Sequence, residues 1–532
     1  MKTRMQSLFQ KIVNTLKSLN PWQVFVIVFL LGFTLYIRIS NLFSVGFYYD
    51  TVETEYAWAK YAYENGYGNF MRDYDGFFDY LPGGLWYGVF LESIARFLKN
   101  IIPGGGEHDF VFVMKFFNNI YDFLIASIIF LLAWKKGKLS SKTSLILATI
   151  VFSLPSLWIV SAIWGQFDSL IVLLGLVSIL FLHKGLNQKN VPFWKSYVFC
   201  SGILFGIAFW TKIQVLIMLP VFLMLLFANK PLNVILSWIL SITSWLLIII
   251  GSIFIGFYFY EYAENYYPTL AILSLLIFTG LTYSSYKKFT STPKLDGGIW
   301  IAGFISMFWP LGLIALIYEP LRFWVNLAGP FTKENVLSTG ALNLWSLYGG
   351  SKTGSDFLFS IGQFGLSISM AGILIFTTLV AVLLFRYIIS NSASVKDTKF
   401  NAKDWIEDKF TMHLDLNTIF IFLSIISNAY FLFMTKMHSR YQIWGIVFSL
   451  IPAFLIKNKK YRNIWIIGTV LMHITYSVNQ MGVYSEWNAD QTWMKAFFNI
   501  FSFNSDPLFV ALNVIGFCLI YFAGFKCFSR EK

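Results

Sequence analysis

Charged side chains are scarce in this chain: Asp, Glu, Lys and Arg make up 13% of its 532 residues, about half the share of a soluble domain. That scarcity excludes a water-soluble globular protein of this size. Cysteine is scarcer still. Cys200, Cys518 and Cys527 all sit in apolar runs and form neither a disulfide framework nor a metal-ligand spacing. No glycine-rich loop follows a strand and no cytoplasmic α/β domain could hold one, so no soluble nucleotide cofactor is expected. A tandem repeat and a low-complexity tract are also missing. Lys2, Arg4, Lys11 and Lys17 precede the first apolar run, and no small-residue cleavage site follows it, which predicts a signal anchor rather than a removed signal peptide.

What is present is apolar. Hydrophobic residues reach 57% and aromatics 20%, and runs of about 18 or more apolar residues recur, the length that crosses a bilayer. The pattern predicts an all-α polytopic membrane protein with about fourteen spans, near 22–39, 110–134, 144–163, 167–182, 196–211, 213–227, 234–258, 268–283, 299–317, 357–384, 417–435, 441–456, 463–478 and 508–525. Residues 85–98 are apolar but short, and Glu92, Arg96 and Lys99 interrupt or border them. Were they to cross, the lysines at 135, 136, 138 and 142 and the cluster Lys457, Lys459, Lys460 and Arg462 would face outward, against the positive-inside bias. They are therefore expected to lie on the outer surface or dip partly in. Both termini are then cytoplasmic, and the net charge of +13 reflects basic cytoplasmic loops rather than a nucleic-acid partner. A long outer loop, 41–109, carries helical patterning over 51–63 that suits an interfacial helix. A long inner loop, 386–415, is mixed in charge.

Polar residues near a membrane usually have a task, and here they gather at one level. Asp50 and Glu53 follow the first span, and Asp79 precedes Pro82-Gly83-Gly84. Trp164-Gly165-Gln166-Phe167-Asp168, Lys212 with Gln214, Asn343 with Trp345, and His438 with Arg440 fall in outer turns. Each has a structural reading of its own. Asp50 can be an ordinary loop carboxylate, Asp168 a helix N-terminal acid, Lys212 and Arg440 snorkelling cations, Trp345 an interface anchor and His438 a solvated histidine. Lys115, Asn118, Asn119 and Asp122 share one helical face and are expected to pair within the bundle. Taken together, the outer turns supply carboxylates, cations and amides at one interface. That set suits an anionic lipid headgroup: cations neutralise phosphate and a carboxylate takes a proton from a hydroxyl.

At these residues the chain resembles the GT-C superfamily of membrane glycosyltransferases, and within it the bacterial relatives of the enzyme that adds the second mannose of GPI anchors. The resemblance runs through most of the chain. Its pieces are Asp50 with the aromatic helix after it, Asp79-Tyr80-Leu81-Pro82-Gly83, Ile163 to Asp168, Lys212-Ile213-Gln214 with Pro220, Ser338 to Trp345, and Met437-His438-Ser439-Arg440-Tyr441. It departs where the family usually has two prolines, here Leu81-Pro82, and where it usually has Glu, here Ser439. The resemblance implies a catalytic transmembrane module over 22–355 following a cytoplasmic segment 1–21, with further transmembrane helices over 356–532. It implies an extracytoplasmic cleft open to the bilayer, a polyprenyl-phosphate sugar as donor, a glycan or lipid-linked acceptor and inversion at the anomeric carbon. By the same resemblance Asp50 is the general base, and Lys212, His438 and Arg440 hold the leaving phosphate. Gln214, Asp79, Gln166, Asp168, Asn343 and Trp345 would complete the substrate site. No metal is expected, since Asp50, Asp79, Asp168 and the five histidines show no ligand spacing. Two rivals stand beside this reading. A transporter or flippase would favour internal repeats and a midplane site; a non-catalytic member of the superfamily would not need Asp50.

Overall fold

The computed structural model describes residues 10, 13–76, 78, 80–99, 101, 105–186, 188, 191–192, 195–227, 276, 280, 296–319, 338–339, 341–348, 357–361, 364–391, 414–435, 437–487 and 507–528. They are mostly helical. Among them six helices are long and apolar enough to cross a bilayer: Pro21–Ser40, Glu107–Lys135, Asp168–Gly185, Ile368–Ser390, Leu416–Phe433 and Pro507–Cys527. Ser141–Phe152 and Pro155–Trp164, bent by 42° where Leu154 leads into Pro155, form a seventh if taken as one span. The chain is thus a multi-pass helical membrane protein.

Several expected spans take broken forms. Residues 196–211 form the short helix Tyr197–Thr211. Residues 213–227 become a 3₁₀ turn, Ile213–Met218, leading into Leu219–Phe227. Residues 299–317 divide into Asp296–Ser306, Phe308–Leu311 and Leu313–Tyr318. The 441–456 segment divides into Ile443–Ser449 and Pro452–Leu455, with Pro452 at the break, as proline cannot continue a ladder. The 463–478 segment grows into the 29-residue helix Lys459–Trp487. It meets Pro507–Cys527 where a Cβ on Gly468 would come within 2.6 Å of the Gly516 carbonyl, the close small-residue contact by which membrane helices associate. Spans 234–258 and 268–283 fall almost wholly outside the described residues, as does most of the 386–415 loop.

One span expectation is corrected. Residues 357–384 do not begin as helix: Phe357–Ile361 and Phe364–Ser367 pair as an antiparallel hairpin, and the helix starts at Ile368. Short aromatic-rich runs fit a strand as well as a buried helix, and hydropathy does not separate them. A second small sheet pairs Ser338–Thr339 in parallel with Met437–His438, so the fold is not purely α.

The outer loop is built on helices. Tyr49–Tyr56 is a π-helix that runs into Ala57–Asn65, and Pro82–Leu98 packs against that helix and against Glu107–Lys135. Pro82–Leu98 is not among the helices apolar enough to span. Arg96 pairs with Glu92 on the same helix and with Glu64 on its neighbour, each at 2.6 Å.

Candidate active site

Asp50 lies ten residues beyond the helix Pro21–Ser40, and Helix Glu107–Lys135 fixes the chain between. Its Lys115 is fully buried. The ammonium donates to the Asn41 carbonyl, to the Ser44 carbonyl and hydroxyl, and to the Ile163 carbonyl, all within 3.0 Å. One side chain thus ties the strand of chain leading to Asp50 to the turn that carries Trp164. One turn further along, Asn118 donates to the Gly165 carbonyl at 3.2 Å. Asp122 accepts from Ser161, from Ser169 at 2.6 Å and from Arg38 at 2.7 Å. The polar face expected to pair within the bundle does so, and what it secures is the 161–169 segment. Two glycines complete the junction. Gly165 has φ +96°, and Gly46 has φ +78°, with its Cβ position 2.4 Å from the Trp164 carbonyl. Neither position accepts a side chain without strain.

The turn so held meets Asp50. Oδ2 of Asp50 accepts from Trp164 Nε1 at 3.0 Å, from Gln166 Nε2 at 3.1 Å and from Arg440 at 2.8 Å. None of the described residues donates to Oδ1, and the side chain is 17% exposed. Lys212, at the end of helix Tyr197–Thr211, donates to Asp168 at 2.8 Å and to Gln166 Oε1 at 3.3 Å. Its ammonium also lies over the Phe167 and Tyr80 rings at 4.6 and 5.3 Å, within cation–π range. Arg440 Nε stands 3.9 Å from Asp168 Oδ2. Asp50, Gln166, Asp168, Lys212 and Arg440 therefore form one cluster from four separate stretches of chain. Asp168 does begin a helix, Asp168–Gly185, as its structural reading held, but its oxygens serve the two cations.

The turn Ser439–Gln442 that presents Arg440 is anchored on several sides. Tyr476 donates to the Arg440 carbonyl at 3.2 Å, and Gln442 exchanges hydrogen bonds with Asn513 at 2.8 and 3.2 Å. Gln214 donates to the Tyr441 hydroxyl at 3.1 Å, which places Gln214 as a tie between two site turns. Ser439 turns inward, its hydroxyl 3.5 Å from Gln480. His438 stacks edge-on with Tyr441, ring centroids 5.3 Å apart.

Other expected site residues serve differently. Asn343 donates to the Met434 carbonyl at 3.3 Å, and Trp345 donates to the Phe433 carbonyl. Both satisfy carbonyls at the end of helix Leu416–Phe433. Trp345 is buried, so it is not a lipid-facing interface anchor. Glu53, the other acid after the first span, is exposed. Asp79 lies outside the described residues.

Sequence reasoning missed Glu55. Its carboxyl is buried, with Oε1 accepting from Tyr80 at 3.1 Å and Oε2 left without a hydrogen-bond partner among the described residues. It lines a cavity of about 10 Å³, shared with Trp58, Tyr80, Leu85, Tyr87 and Phe167, room for a single water. Burial pushes this carboxyl up to about 8; Lys212 and Arg440 pull against that rise and Asp50 adds to it. The only available signal was local geometry. An α-helix aligns residues three or four apart, and the wider π-helical turn adopted by Tyr49–Tyr56 changes that alignment.

Among the described residues no three His, Cys, Asp or Glu side chains converge as a metal-binding group. Compared with known proteins, the chain matches no family model and no curated protein sequence.

Proposed function

We propose that the protein is a membrane-embedded, inverting glycosyltransferase of GT-C type, with about fourteen spans and an extracytoplasmic site. It moves a hexose from a polyprenyl-phosphate sugar to a glycan or lipid-linked hydroxyl. The observation that carries this reading is the Asp50 carboxylate: Oδ2 is fixed by Trp164, Gln166 and Arg440, while none of the described residues donates to Oδ1. A base so oriented has one lone-pair-bearing oxygen to offer an acceptor hydroxyl.

The acceptor oxygen attacks the anomeric carbon from the face opposite the phosphate, and its proton passes to Asp50. The carbon–oxygen bond to phosphate breaks, and polyprenyl phosphate leaves with the electron pair. Arg440 is the cation placed to receive that phosphate, since its planar guanidinium binds Asp50 through one nitrogen and has further donors. His438 stands two residues away on the same turn. Lys212, buried against Asp168, offsets that carboxylate, so that Arg440 can turn toward the phosphate without leaving two uncompensated negative charges behind it.

The test is Asp50→Asn in purified protein supplied with a panel of labelled polyprenyl-phosphate sugars. The amide keeps the shape and loses the base, so turnover should fall about 10²-fold or more while donor binding persists. Near-normal transfer by Asp50→Asn would refute the mechanism. Failure of the wild type to move any label, combined with passage of labelled lipid across a vesicle membrane, would favour the transporter reading.

A further inference from the structure

The cluster holds a third carboxyl that the reaction above leaves unused. Glu55 belongs to the π-helix that carries Asp50, and it reaches the base indirectly. Tyr80 Oη lies 3.1 Å from Glu55 Oε1 and 3.5 Å from Gln166 Oε1. Gln166 Oε1 also accepts from Lys212, which fixes the amide so that Nε2 faces Asp50. Three oxygens in a row, on Glu55, Tyr80 and Gln166, share one tyrosine hydrogen. Both contacts are hydrogen bonds only if Glu55 supplies a second proton.

We propose that Glu55 is a positioning residue that works as the neutral acid: it donates to Tyr80, which donates to Gln166, and the Gln166 amide is thereby held on the Asp50 base. The inference rests on the glycosyltransferase reading for its link to catalysis. Charge counting supports the neutral form. Lys212 is paired with Asp168 and Arg440 with Asp50, each at 2.8 Å, so an ionised Glu55 would be a fifth charge with no cation of its own. Its Oε2 would also be a buried anionic oxygen without a donor among the described residues, a costly state. Among the described residues the ionisable groups that face it are Asp50 on its own helix, Tyr80 before helix Pro82–Leu98, Tyr87 on that helix, Lys212 and Arg440. Both cations are spent, and Asp50 opposes a second negative charge, in keeping with a carboxyl raised to about 8.

Ionisation would reverse the row. Tyr80 would turn its hydrogen to Glu55 and release Gln166, and the new negative charge would stand against an incoming anionic donor. Donor affinity is therefore expected to weaken on the alkaline side, by about tenfold for each pH unit above the transition.

Two measurements test this with Glu55→Gln, whose amide keeps the shape and the donor but cannot ionise. The first is infrared difference spectroscopy of purified protein without substrate, wild type against Glu55→Gln. A protonated-carboxyl carbonyl band is expected at pH 7 and should vanish with a midpoint near pH 8; its absence at pH 7 would overturn the proposal whatever the protein's activity. The second is the pH profile of donor affinity and turnover. Glu55→Gln should stay within several-fold of wild type at pH 7 and lose the alkaline limb, while Glu55→Ala should fall about tenfold in turnover. If Glu55→Gln keeps the wild-type alkaline limb while Asp50→Asn is inactive, the base assignment stands and the role given to Glu55 is wrong.

Discussion

At the scale of single residues, the proposed reaction divides the cluster into groups that hold and groups that react. Arg440 is expected to be irreplaceable. Lysine keeps the charge but is a compact ammonium on a flexible stem, without the planar fork that can pair with Asp50 and present a fixed second edge to phosphate. Arg440→Lys should lower donor affinity at least tenfold, and Arg440→Ala further, in a binding assay with a polyprenyl-phosphate sugar. Unchanged affinity in Arg440→Ala would remove it from the phosphate site. Glu55 has a signature in stability as well. In the fold its carboxyl is raised from an ordinary 4.5 to about 8, so the folded state keeps a proton that the unfolded chain gives up. Its favourable contribution is complete below pH 4.5, declines as pH rises through this window and is gone above about 8. Thermal melting in detergent should show Glu55→Gln equal to wild type near pH 5 and more stable near pH 8. Equal melting at both values would mean that Glu55 carries a charge in the folded protein.

At the scale of elements, the site is a product of helix ends, and its precision comes from the helix beneath it. Lys115 and Asn118 satisfy carbonyls of the loop before Asp50 and of the turn at Ile163 and Gly165. Lys115→Met should leave those buried carbonyls without a donor and cost about 1–3 kcal/mol. Turnover should fall more than donor binding, because the base rather than the phosphate site loses its frame; a loss confined to donor affinity would contradict this. The shared face of Lys115, Asn118, Asn119 and Asp122 was legible in the sequence because helical spacing is strict. So was the association of Asp50, Gln166, Asp168, Lys212 and Arg440, because polar residues bordering apolar runs have few places to go. Glu55 was not legible, since nothing in Tyr49–Tyr56 announces a π-helix, and the acids of that loop that drew attention were Asp50, Glu53 and Asp79. Asn343 and Trp345 were read as substrate ligands because their motif suggested a site, yet their side chains close the carbonyl end of Leu416–Phe433. The hairpin before Ile368 was hidden by aromatics that suit either a strand or a helix.

At the scale of the whole molecule, helix Glu107–Lys135 measures about 43 Å at 1.5 Å per residue, longer than the bilayer's hydrocarbon core of about 30 Å. Its two ends should therefore emerge on opposite faces. Cysteines placed at the exposed positions His108 and Lys136 should label from opposite sides of intact cells with an impermeant reagent, Lys136 from the cytoplasm. Labelling of both from one side would discard the proposed topology and the outward-facing site together. The same purified protein is expected to keep full activity in chelator, and strict dependence on an added divalent cation would contradict the proposed mechanism.

The mutual pairing of the cluster's charges also bears on how a donor arrives. With Lys212 spent on Asp168 and Arg440 on Asp50, this cluster projects little net field into its surroundings, and it offers long-range electrostatic steering little to act through. Capture of the lipid then depends on lateral diffusion within the leaflet and on short-range exchange of partners at Arg440. The second-order rate of donor capture should change little between low and physiological ionic strength, where an unpaired cationic funnel would slow markedly as its field is screened.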